Sequence, residues 1–151
     1  MVRPHWILAC AALMGAVTAM PLPAGATPLI TAEEAALPAQ KGAVPISSRG
    51  ITRGPRIQLP DAETAVQASP MRFQIRFQTF GGSSIDLDAL KVTYLKSPVV
   101  DLTSRIKPFA QAGGIDMPDA QLPPGDHLVR IDIKDSEGRP ASTSFLLKIA
   151  P

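Results

Sequence analysis

"LPPGDHLVRIDIKDSEGRPASTSFLLKI", residues 122–149, decides the fold. Leu122 to Asp126 combine the fixed φ of proline with the freedom of glycine and read as a turn. Val129, Ile131 and Ile133 then alternate with Leu128, Arg130, Asp132 and Lys134, the period of a strand with one buried face. Asp135 to Pro140 reverse the chain, with Gly138 suited to a left-handed position. Phe145, Leu147 and Ile149 mark a closing strand. Two strands joined this way make an antiparallel hairpin.

The same alternation runs backward through the chain. In "MRFQIRFQ" (71–78) Met71, Phe73, Ile75 and Phe77 alternate with Arg72, Gln74, Arg76 and Gln78. "LKVTYLK" (90–96) sets Leu90, Val92 and Tyr94 on one side, and "RIQLP" (56–60) sets Ile57 and Leu59 on one face. Turn residues separate the runs in "FGGSS" (80–84) and at Ala112 to Gly114. "DLTSRIKPF" (101–109) predicts one helical turn ending near Pro108. Several short strands with regular turns predict an all-β antiparallel sandwich of about seven strands over residues 51–151. A domain of this size buries roughly two-thirds of its unfolded surface and folds without metal or disulfide.

Residues 1–26 read as a signal peptide. "MVRPH" supplies positive charge, "WILACAALMGAVTAM" an apolar run, and "AGA" (24–26) small residues at a peptidase site, with Ala19 as the alternative cut. The run is shorter than the roughly 18–20 apolar residues that span a bilayer, so no stable membrane insertion is expected after cleavage. Residues 27–50 mix Pro, Ala, Gly and Ser and read as a flexible linker. Within it, "TAEEAAL" (31–37) suits one or two helical turns capped by Thr31, with Glu33 and Glu34 in the first turn.

Composition narrows the function classes. Cys10 is the only cysteine and lies in the apolar run, so the mature chain carries no disulfide, thiol nucleophile or zinc–cysteine site. Arg3 is the one charged side chain ahead of Thr27, so the net charge falls from +2 to +1 on cleavage. That balance, with basic residues not interleaved with aromatics, argues against nucleic acid. Trp6 also leaves with the signal peptide, and a mature chain without tryptophan is poorly equipped for sugar platforms.

The C-terminal stretch resembles the last hairpin of bacterial immunoglobulin-like modules, at Leu122, Pro123, Gly125, His127, Asp135, Gly138 and the strand around Phe145. The resemblance covers residues from about 55 to 151. It implies an immunoglobulin-like β-sandwich and leaves function open. The architecture is also similar to that of CopC-type periplasmic copper-binding proteins, which carry an Asp-Gly-His turn before the last strand. Here the turn reads Glu137-Gly138-Arg139, with arginine where that family's histidine ligand would stand.

His127 is the sole histidine after residue 26. The resemblance places it where such modules often carry a tyrosine that hydrogen-bonds backbone near the strand start. No Gly-x-Ser-x-Gly elbow accompanies it, and no catalytic residue is assigned. Asp86 with Asp88, and Asp132 with Asp135 and Glu137, are acidic clusters short of the six to eight oxygens calcium takes. Each suits a turn instead. An interaction surface is expected at Arg72, Arg76, Phe80 and Phe109, the arginines facing solvent from their strand and the phenylalanines flanking turns. The expected role is a non-catalytic periplasmic or secreted domain that binds an envelope protein, with no cofactor. The alternative is a metal carrier of CopC-like architecture with altered ligands, drawn from Met71, Met117, His127 and the acids.

Overall fold

The computed structural model describes residues 26–45, 53–59 and 65–151. The expected signal peptide lies outside them except for Ala26, as do residues 46–50 of the expected linker. In chain order the strands are β1 (Thr27–Pro28), β2 (Arg56–Gln58), β3 (Val66–Gln67), β4 (Met71–Gln78), β5 (Ile85–Tyr94), β6 (Val100–Asp101), β7 (Ala110–Gln111), β8 (Gly114–Gln121), β9 (Gly125–Asp135) and β10 (Pro140–Ile149). Helix α1 spans Ala32–Ala36, and α2 (Thr103–Ile106) runs into a 3-10 turn at Lys107–Phe109, where the helical turn is expected.

Two sheets form an all-β sandwich. One has the order β1-β8-β4-β2, with β7 also on β8, and the other β3-β10-β9-β5-β6. The long pairs are antiparallel, but β1 runs parallel to β8 and β3 parallel to β10. The expected all-β sandwich is present, its long pairs antiparallel, and among the described residues it has ten strands because short ones add to those that alternation predicts. The additions β1, β3, β6 and β7 are two residues each, too short to show any period in sequence.

The alternation of β4 is realised in full: Met71, Phe73, Ile75 and Phe77 are buried, and Arg72, Arg76 and Gln78 are exposed. From the facing sheet β10 sends Phe145 inward, and its ring stacks on Phe73 with centroids 6.1 Å apart. Val92, Tyr94, Val129, Ile131 and Leu147 complete that side of the core, and Leu102 and Ile106 of the α2 region close one end. Between β4 and β8 the register shifts, because Met71 faces Ala120 while Phe73 faces Met117. The extra residue on β8 falls in the stretch holding Pro118, and proline is tolerated in strands at bulges and edges.

The expectation of a flexible tether over residues 27–50 is corrected for its described part. Leu29 and Ile30 are buried in the core, and both backbone amides donate to the Gln121 carbonyl. Helix α1 forms with a complete capping box: the Glu34 amide donates to Thr31 Oγ1 and the Thr31 amide donates to the Glu34 carboxylate. A five-residue helix does not persist alone. It is held here by Arg105, whose guanidinium donates to both Glu34 carboxylate oxygens (2.8 and 2.6 Å) and to the Leu29 carbonyl (2.8 Å).

Candidate functional site

His127 enters the core from the inward side of β9 and is 1% exposed. Its Nε2 lies 2.8 Å from the Pro123 carbonyl, which can only accept, so Nε2 carries the proton. Nδ1 is then the acceptor for the Tyr94 hydroxyl at 2.9 Å. The bond back to backbone four residues upstream is the one expected from position 127. Burial lowers the His127 pKa first, and the Lys96 ammonium lowers it further, against Pro123 and Asp126. Burial, then the Glu34 charge, pushes the Tyr94 hydroxyl up to about 12. Both rings stay neutral and mutually bonded, a structural arrangement with no free nitrogen for a metal or a proton transfer.

Because the folded-state pKa lies below the ordinary value, the unfolded chain takes up the proton first as pH falls. Stability should therefore drop from about pH 6.5 downward, by up to about 1.4 kcal/mol per unit until the folded form also titrates. Glu34, Asp101, Asp116 and Asp135 have lowered pKa values, so their losses come at lower pH. In a chain beginning at Thr27, His127→Phe should lose about 2 kcal/mol at pH 7.5, since two buried polar groups lose their partner. It should lose less further stability than wild type on going to pH 5.5. Urea unfolding at the two pH values measures both, and equal pH dependence in the two proteins would contradict the assignment.

The acidic clusters are turn devices. Asp86 Oδ1 accepts from the Asp88 and Ala89 amides. Asp135 is buried, which by itself raises its pKa. Hydrogen bonds from the Arg139 amide and guanidinium and from the Glu137 amide outweigh that. Gly138 holds φ +76° in the same turn. Asp132 is paired with Arg130 on its own strand. Met71 and Met117 are core residues. Among the described residues no group of three His, Cys, Asp or Glu side chains is placed to hold a metal, and no buried side-chain nitrogen or oxygen lacks a hydrogen bond.

The expected interaction surface is only partly assembled. Arg72 is committed to Asp116, its Nε 2.7 Å from Oδ1. Phe109 is half-buried against the core, because the 3-10 turn rolls it inward. Arg76 remains exposed, and Phe80 is 37% exposed with the Arg56 guanidinium 5.6 Å from its ring centroid. Register places Arg56 opposite Gln78 and Gln58 opposite Arg76 on the outer face, and Gln58 donates to Gln78.

The distribution of arginines sharpens this. Arg72, Arg105, Arg130 and Arg139 all form ion pairs. Arg53, Arg56 and Arg76 are exposed and have no ion-pair partner among the described residues. All three lie on β2, just before it, or on the strand beside it. The sequence hid the grouping, since Arg56 stands 20 positions from Arg76 and only the β2–β4 register brings their strands together.

No family model, curated protein or solved structure matches this chain. The functional reading rests on its own geometry.

A second feature escaped the sequence reading. Residues 38–45 cross the outer face of the β10-β9-β5 sheet. The Gln40 amide donates to the Leu95 carbonyl, the Ser97 amide to the Pro38 carbonyl, and Ser144 Oγ to the Val44 carbonyl at 3.0 Å. Under this strap lies a pocket of about 250 Å³ lined by Leu95, Leu128 and Leu146 on the sheet side and Ala39, Ala43 and Pro45 on the strap side. The signal was Leu128 and Leu146, leucines at outward positions of otherwise polar strand faces.

Proposed function

We propose that the chain is a non-catalytic immunoglobulin-type module, exported to the envelope, that docks an acidic patch of a partner protein through Arg53, Arg56, Arg76 and Phe80. The carrying observation is the group of three exposed arginines that have no ion-pair partner among the described residues, in a domain whose other described arginines are ion-paired. Guanidinium groups are weakly hydrated forks that bind carboxylates bidentately, and an aromatic beside them adds apolar contact of the kind that anchors interfaces. The strand order supports the immunoglobulin-type reading: β2, β4, β8 and β7 oppose β10, β9, β5 and β6, as strands A, B, E and D oppose G, F, C and C′.

Docking by side chains rather than by strand addition fits the edges. Beside β5 the ladder is interrupted between Asp86 and Lys91, and β8 carries Pro118 between its short partners β7 and β1. Bulges and prolines of this kind discourage added strands. The mature chain, captured with its partner from a cross-linked envelope fraction, should lose that partner in the Arg56→Glu, Arg76→Glu variant. The measured affinity should fall at least about tenfold, about 1.4 kcal/mol, and wild-type binding should weaken steeply with salt. Retention of the same partner by a variant of unchanged melting temperature would overturn the reading.

A further inference from the structure

We propose that the strapped pocket is a binding site for a small amphiphile with an apolar body and a hydrogen-bond-donating head, such as an amine or alcohol. Leu95, Leu128 and Leu146 form an apolar floor, and Ala39 and Ala43 are too small to fill the space the strap spans. Apolar walls with few polar groups are the usual make-up of small-molecule sites. About 250 Å³ holds roughly eight to ten non-hydrogen atoms at close to the volume of one liquid water each.

Gln40, Lys96 and Asp126 are the polar side chains of the lining; the Gln40 carboxamide can donate or accept, so the charged pair sets the head. Lys96 lines the pocket with its stem, because its ammonium donates to the Ala35 carbonyl at 2.9 Å and lies 5.3 Å from the Tyr94 ring centroid. Asp126 is exposed at the wall and makes no ion pair among the described residues, although Lys148 faces it across the hairpin. A carboxylate accepts only, so the complementary head donates. This site is separate from the arginine group, which lies on the other sheet, and does not depend on the docking proposal.

Methyl-labelled protein titrated with phenethylamine, phenethyl alcohol and phenylacetate tests the site. The expected result is saturable shifts at the Leu95, Leu128 and Leu146 methyls, with phenylacetate at least about fivefold weaker than the amine. Ala43→Leu, which puts its side chain into the space, should abolish the shifts. Asp126→Asn should remove the preference of amine over alcohol while leaving the pocket open. Shifts that do not saturate, equal binding of all three probes, or binding that survives Ala43→Leu would each overturn the proposal.

Discussion

A chain cut to residues 51–151, the boundaries that strand alternation alone sets, should fail to fold cooperatively, whereas a chain beginning at Thr27 should fold. Leu29 and Ile30 are 0% and 2% exposed, and burying two such side chains contributes about 3–6 kcal/mol. Domains are stable by only about 5–15 kcal/mol in total. The cut also strips the Glu34 carboxylate and the Leu29 carbonyl from Arg105 and uncovers the Gln121 end of β8. Urea unfolding of both chains followed by circular dichroism distinguishes the cases. Matching cooperative transitions would show that residues 27–50 contribute little.

Gly114→Ala should be strongly destabilising, costing about 3 kcal/mol or more through overpacking. Gly114 sits at φ +150°, and a Cβ there would lie 2.0 Å from the Ile75 carbonyl oxygen and 3.1 Å from Arg76 Cα. Those atoms are backbone of β4, so β4 and β8 must separate to relieve the contact. They carry Phe73, Ile75, Ile115 and Met117 of the core. Gly138→Ala is the control: φ is +76° but the space is open, so only the left-handed penalty of about 1–2 kcal/mol applies. Thermal unfolding that ranks the two equally, or that spares Gly114→Ala, would contradict the close approach.

What the sequence disclosed divides along physical lines. The strands β4, β9 and β10 were legible because each runs eight residues or more with one buried face, which alternation reports directly. Turn chemistry at Asp86, Asp135 and Gly138 was legible because those bonds are local. Thr31 announced its helix for the same reason, yet not its attachment, since Arg105 lies 71 positions from Glu34. Leu29 and Ile30 carry no period, and only the parallel pairing of β1 with β8 brings them inside. At the candidate surface, Arg76 and Phe80 are exposed. Arg72 was withdrawn by Asp116, 44 positions away, and Phe109 by packing of its 3-10 turn against the core. The grouping itself came from register, which a single strand cannot encode.

The docking claim is tested most directly by placing a photo-cross-linking residue at position 58, opposite Arg76 and two residues from Arg56, and at position 134 on the outer face of the opposite sheet. In envelope preparations from cells producing the full chain, position 58 should give an adduct with one protein, lost when Arg76→Glu is added. Position 134 should give none. Adducts of equal yield at both positions, an adduct at 134 alone, or an adduct at 58 indifferent to the charge reversal would contradict an arginine-directed interface.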